Sequence, residues 1–240
     1  MLEFLTEYTY ALAPVFGLLA ALMGSAVNGA KVWDEWLCGL IAAEIGVFAV
    51  VGIAVGIGEG VDAPEARAVA LIVFASATLV GMPITRILDA ADHWIASLFS
   101  FPFKWVQSPV FTTVGGLLTI GWAIAGRASF RRGCFFLKVS SGSSQGALTL
   151  GAVVYAYGGC FDKDGRVKDD LAQHEAYHSR QVTAFHEIGF YIAYLLVGMP
   201  WGQAQGGVPM STTSGGCGNP FEKTARTKNH KFTPKPAHEC

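Results

Sequence analysis

Three long apolar runs open the chain. Residues 9–27, from Thr9 to Val27, carry no charge and are rich in Ala, Gly and Leu. Residues 36–58, from Trp36 to Gly58, hold Glu44 as their one ionisable group besides the thiol of Cys38. Residues 66–85, from Ala66 to Thr85, have Arg67 at their start. Each approaches or exceeds the roughly 20 residues that a helix needs to cross a bilayer core. Gly24, Gly39, Gly46 and Ala70 would let such helices approach closely. Between the second and third runs, Glu59–Glu65 reads as a short acidic turn containing Pro64. Residues 93–106 are aromatic and broken by Pro102; Trp94, Phe99, Phe101, Phe103 and Trp105 suit the headgroup layer. Residues 109–126 form a fourth, weaker apolar run around Gly115-Gly116.

The pattern changes after residue 127. Cys134–Ser140 predicts a strand, Ser141–Gly146 a connector, and Ala147–Tyr155 a second strand pairing with the first as a hairpin. Asp164-Gly165 marks a turn. Asp169 and Asp170 sit where acidic residues favour a helix start, and a helix is expected over about 168–184. Glu187–Met199 predicts a short apolar helix ended by Pro200, packed under the preceding helix or resting on the membrane surface. Residues 201–218 are Gly/Ser/Thr-rich and read as a flexible loop. Asn219 as N-cap and Pro220 at the first helical position open another short helix. The polar stretch 227–240 is expected to be disordered.

Composition agrees with a membrane protein. The chain is 52% hydrophobic and 15% charged, with a mean hydropathy of +0.40, against about a quarter charged in soluble domains. The net charge of −1 conceals a balance of −6 over residues 1–126 and +5 over 127–240. Arg127, Arg131 and Arg132 directly follow the last apolar run, and the positive-inside tendency then puts the C-terminal half on the cytoplasmic side. The basic surplus suits anionic headgroups. No basic-aromatic cluster points to nucleic acid. The first apolar run lacks the preceding basic region of a cleaved signal. The five cysteines show no C-x-x-C spacing, so no cysteine zinc knuckle is expected. Cys38 reads as a buried apolar residue, and a disulfide among the other four is left open.

The candidate chemistry lies in Gln173–Gln181, which contains H-E-x-x-H. On a helix, His174 and His178 share a face and can grip one zinc ion, with Glu175 placed to take a proton from water. A catalytic zinc needs a third protein ligand. His186 would lie about 80° around a continuous helix from His178. His230 and His238 fall in the polar tail. Glu222, in the first turn of its own helix, is the better candidate, although spacing alone makes it equally a charge complementing the helix N-terminus. Arg180 and Gln181 are expected to brace the helix, and Asp169 or Asp170 to support a histidine.

Taken in order, Thr149-Leu150-Gly151, His174-Glu175-x-x-His178-x-Arg180-Gln181, Ala193-Tyr194 and Asn219-Pro220-Phe221-Glu222-x-x-Ala225 resemble the pattern of a group of small bacterial zincin-like proteins. The resemblance covers roughly residues 130–226, and the segment from Gln181 to Gly189 is longer than that pattern has. It implies His174, His178 and Glu222 as zinc ligands and Glu175 as general base. The expected fold class is α+β. A bundle of three to four transmembrane helices (1–126) precedes a small zincin-like domain of a short hairpin or sheet plus helices (127–226). Thr149, Leu150 and Gly151 would form an edge along which an extended peptide aligns, and Tyr177, Tyr191 or Tyr194 would donate to an oxyanion. The leading expectation is a zinc metallopeptidase of peptide or protein substrates, integral to a bacterial inner membrane or phage-associated. The second is a non-catalytic subunit of a membrane, phage or secretion assembly. A channel or transporter using Glu44 comes third, since a mid-span carboxylate is costly and no partner charge is evident nearby.

Overall fold

The apolar runs fold as helices whose small residues face inward. The computed structural model describes residues 2–28, 30, 33–57, 63–141, 143, 146–204 and 218–227. A short α1 (Leu2–Glu7) leads into α2 (Thr9–Asn28), which packs on α3 (Trp33–Ile57). α4 (Ala63–Ser76) runs through a π-helical turn, Ala77–Gly81, into α5 (Met82–Ala91). Three stretches are long and apolar enough to cross a membrane: Thr9–Asn28, Trp33–Ile53 and Glu65–Ala91. α2 buries Ala13, Gly17, Ala20, Ala21 and Gly24 and exposes Val15, Leu18, Leu19 and Leu22. Lipid tails are as apolar as leucine, so close helix packing relies on small residues. The Glu44 carboxyl lies over Gly17, where a Cβ would come within 2.6 Å of it.

Several local expectations change. Pro64 and Glu65 belong to the first turn of α4, and residues 58–62 of the expected acidic turn lie outside the described residues. α6 (Trp94–Gln107) continues through Pro102, because one missing N–H removes one helical hydrogen bond while the flanking turns remain packed. The fourth run forms α7 (Pro109–Ile124), at 16 residues shorter than a span.

A four-stranded sheet follows, in the order β1-β2-β4-β3, from β1 (Ala128–Arg131), β2 (Cys134–Lys138), β3 (Ala147–Leu150) and β4 (Val153–Ala156). The expected long strand 147–155 is therefore two. Gly151, at φ +64°, turns the chain back on itself, and its Cα abuts Ser108, just before α7, and Thr112 of α7 so closely that no Cβ would fit. The expected hairpin partner is also wrong. β2 pairs in parallel with β4, and β3 lies outside as the edge, paired antiparallel to β4 alone. The Asp164-Gly165 turn forms as expected, with Gly165 at φ +77° and Phe161 bridged to Val167.

One face of the sheet, with Phe136, Val154 and Ala156, packs on Leu171, Ala172 and Ala176 of α8 (Asp169–Phe185). α7 covers the other face, with Gly115 against Val153. Beyond α8 the chain kinks at His186, φ +62°, into α9 (Glu187–Ala193). A π-helical turn, Tyr194–Gly198, carries it into α10 (Met199–Ala204), so the helical path runs past Pro200 rather than ending there. α11 (Pro220–Thr227) is the last described element. Most of the Gly/Ser/Thr-rich loop, with Cys217, and the tail from residue 228, with His230, His238 and Cys240, lie outside the described residues. Cys38, Cys134 and Cys160 are buried free thiols.

The glycines of α2 and α3 have a second use beyond packing those helices on each other. Phe185, at the end of α8, fills a notch over them. A Cβ on Gly24 would come within 2.6 Å of its ring, one on Gly39 within 3.3 Å, and one on Gly46 would collide with its carbonyl. Gly189 of α9 crosses α3 at Gly46 and the Ala42 carbonyl in the same way. The helix carrying H-E-x-x-H thus shares one apolar core with the bundle through Val182, Ala184 and Phe185.

Candidate metal centre

α8 is buried on almost every side from Leu171 to Phe185. A helix this polar can be enclosed only if its polar groups find partners. His174, Glu175 and His178 lie toward β3, α9 and α11. Tyr177 lies on a different face, where its hydroxyl donates to the Asn28 carbonyl at the end of α2. Ser179 and Thr183 continue the buried side, with Thr183 Oγ1 donating to the Ser179 carbonyl at 2.9 Å.

The two histidines and Glu222 converge. His174 Nε2 and His178 Nε2 are 3.2 Å apart, His178 Nε2 is 3.2 Å from Glu222 Oε1, and His174 Nε2 is 3.4 Å from Glu222 Oε2. Their ligand atoms all lie within 4.8 Å of one another, so the group could hold a metal ion. Burial alone would raise the Glu222 pKa. The adjacent imidazoles, His178 foremost, outweigh it and hold the carboxyl well below the ordinary carboxylate range.

His178 and Glu222 are each oriented by a neighbour. Gln181 Nε2 donates to the Phe221 carbonyl at 3.1 Å, which fixes its Oε1 as the acceptor facing His178. That Oε1 lies 2.8 Å from His178 Nδ1. Nδ1 therefore carries a proton, and Nε2 is the ring atom presented to Glu222 and His174. One side chain thus sets the tautomer of one ligand and ties α8 to the helix bearing another. Glu222 accepts from the Tyr194 hydroxyl at 2.7 Å. α11 is itself anchored locally. Asn219 Oδ1 accepts from the Phe221 N–H at 3.0 Å, and Phe221 packs edge-on against Phe190. Asn219 rests on Gly198 and Gly202, where any Cβ would intrude.

Glu175 is buried and accepts from Thr149 Oγ1 on the edge strand at 2.5 Å. Leu150 ends β3 and Gly151 begins the turn. Tyr191 bridges this corner. Its hydroxyl donates to the Thr149 carbonyl at 3.1 Å and accepts from the Gly151 N–H at 2.7 Å. Of the three candidate tyrosines, Tyr191 and Tyr194 therefore flank the site and Tyr177 faces away from it. His186 stands apart from the ligand group, as the cap whose Nδ1 accepts from the Ile188 N–H. Asp169 does not support a histidine. It pairs with Arg131 at 2.9 Å and Arg132 at 3.1 Å and accepts from Gln173. Asp170 accepts from its neighbour Leu171 N–H. Arg131 and Arg132 also pair with Asp92, so two of the three charges read from the sequence as a topology signal are met within the protein.

The sequence reasoning missed Asp89. This fully buried carboxylate takes Lys104 at 3.0 Å, Arg180 at 2.9 Å and Ser100 at 2.8 Å. Through Arg180, two residues past His178, it clamps α8 to α5 and α6. A lone lysine in an aromatic run and an aspartate at the end of an apolar one were the available signal, since buried charges pair. Glu187 was likewise passed over. Its carboxylate accepts from Ser108 Oγ at 2.7 Å and from the Val110 and Phe111 N–H groups, closing the first turn of α7. In comparisons with known proteins, no family model, curated sequence or solved structure matches this chain.

Proposed function

We propose that the protein is a membrane-anchored, zinc-dependent metallopeptidase. The observation that carries this reading is the convergence of His174, His178 and Glu222. A tetrahedral ion with bonds of about 2.0–2.1 Å separates its ligand atoms by about 3.3 Å. The 3.2 Å between the two imidazole Nε2 atoms and the 3.2 Å from His178 Nε2 to Glu222 Oε1 suit such an ion, while His174 Nε2 lies 3.4 Å from the other carboxylate oxygen, Oε2. Two imidazoles and one carboxylate also leave a fourth position open, as catalytic zinc sites do. The resemblance to zincin-like proteins points the same way.

Zinc bound there would acidify a water molecule and polarise the scissile carbonyl. Glu175 accepts the proton as the water oxygen attacks that carbonyl carbon. Thr149, donating to one carboxylate oxygen, keeps the other turned toward the reacting water. Glu175 then passes the proton to the leaving nitrogen, the C–N bond breaks, and the water oxygen stays with the new carboxylate. A substrate strand added at Thr149 must displace the Tyr191 hydroxyl from the Thr149 carbonyl. The freed hydroxyl is then available to donate to the developing oxyanion.

Metal analysis and a peptidase assay test this reading together. Wild type should hold about one zinc per chain, and Glu175→Gln should keep the metal and lose cleavage. The reading fails if the purified protein binds no metal, or if Glu175→Gln cleaves as wild type does. Metal retained with no hydrolysis would favour the alternative, a non-catalytic subunit of a membrane, phage or secretion assembly.

A further inference from the structure

We infer that the segment cut at this site is an apolar polypeptide stretch embedded in the bilayer, unwound and laid along β3, rather than a water-soluble peptide. The inference rests on the peptidase reading above.

Two helices that are too short to cross the membrane carry the argument, because both are turned inside out. α6 buries Ser97, Ser100, Lys104 and Gln107 while exposing Trp94, Leu98, Phe99 and Trp105. α7 buries Thr112, Gly115 and Thr119 while exposing Val114, Leu117, Leu118, Ile120 and Ile124, the last at 84%. In water the opposite orientation is favoured, and a continuous exposed apolar face marks contact with something apolar. At 16 residues α7 rises about 24 Å, less than the roughly 30 Å hydrocarbon core. A helix of this length fits within a bilayer without crossing it. Its N-terminus also meets the requirement of backbone in lipid, because Glu187 accepts from Val110 N and Phe111 N, two N–H groups that lack a helical partner.

The sheet shares the depth of α7. The Ala152 N–H donates to Thr112 Oγ1 at 3.0 Å, and Val153 sits on Gly115. The β3 edge, with Thr149 on Glu175, therefore lies beside lipid-facing surface. Its rim is apolar, formed by exposed Phe111, Leu148, Ile192 and Leu195. Phe111 packs edge-on against Tyr191 at 5.1 Å, which joins α7 to the corner of the site. A segment unwound within lipid exposes N–H and C=O groups that lipid cannot satisfy. The edge of β3 offers those groups partners by strand addition.

The full chain, loaded with zinc in phosphatidylcholine–phosphatidylglycerol vesicles, is given two probes. One is a single-span Leu/Ala peptide with a central Gly-Pro break, reconstituted in the same vesicles. The other is casein in the aqueous phase. Cleavage inside the apolar stretch of the peptide, lost in Glu175→Gln, with casein intact, is the expected result. Casein cut with the embedded peptide untouched overturns the inference and leaves the peptidase reading standing. Neither probe cut by the zinc-loaded protein overturns both. A second readout needs no turnover. A spin label on Leu117→Cys, in a chain lacking Cys217 and Cys240, should collide more with oxygen than with an aqueous nickel complex. The reverse preference overturns the inference whatever the cleavage result.

Discussion

Gln181→Leu isolates the orientation of the metal ligands from the ligands themselves. The substitution keeps side-chain bulk near His178 but removes two contacts, the 2.8 Å acceptor for His178 Nδ1 and the 3.1 Å donor to the Phe221 carbonyl. The first loss frees the imidazole to take its other tautomer and to rotate. Outer partners of this kind are worth about 10- to 100-fold in metal affinity, or about 1.4–2.7 kcal/mol. The second loss leaves a buried carbonyl without its donor, at a cost of about 1–3 kcal/mol of stability. Gln181→Glu separates the two effects, since a carboxylate still accepts from Nδ1 but cannot donate to Phe221. Chelator competition measures affinity, and thermal unfolding of the metal-free protein in detergent measures stability. We expect Gln181→Leu to lose both, and Gln181→Glu to lose stability while keeping most of the affinity. A folded Gln181→Leu protein that binds metal within about threefold of wild type, below the smallest expected effect, would refute the reasoning.

Asp89→Asn leaves Lys104 and Arg180 without their shared carboxylate; breaking a buried pair costs about 3–5 kcal/mol, read as a lowered unfolding midpoint that Asp89→Glu partly restores. Gly46→Ala puts a methyl into the Phe185 carbonyl, and such overpacking costs about 1–3 kcal/mol, seen in the same unfolding assay together with weakened metal binding as α8 shifts. Thr149→Val removes the donor to Glu175; a hydrogen bond to a charged group is worth about 1.5–3 kcal/mol, so turnover should fall about 10- to 100-fold with metal content unchanged. Burial alone would lower the His178 pKa, but Glu222 outweighs it and lifts it to about 9; the metal must displace that proton, so affinity should rise as pH climbs toward 9, which a chelator titration across pH 6–10 would show.

Much of the site could be read in the chain because its ligands come in short local patterns. The four-residue spacing of His174 and His178 follows from helix geometry alone. Asn219-Pro220 announces a helix start that delivers Glu222 in its first turn. The edge position of β3 could not be read this way. The run 147–155 has one composition throughout, and only contact with Ser108 and Thr112 makes the turn at Gly151 tight enough to split it. Nor could a linear reading find Asp89, whose partners Lys104 and Arg180 lie 15 and 91 residues away.

What the sequence determined by itself was set by short-range physics: which stretches are helical, which are apolar enough to cross a membrane, and which side chains can carry metal chemistry. Tertiary structure decided what those parts do together. Gly24, Gly39 and Gly46 mark surfaces of close approach in the sequence, but only the folded chain shows that Phe185, and with it the H-E-x-x-H helix, fills them. Likewise Gln181 reads as a polar helix residue until Phe221 arrives beside it, and its amide can then orient His178. Such couplings depend on groups distant in the chain meeting within hydrogen-bond or van der Waals range. Residue spacing along one helix does not contain that information.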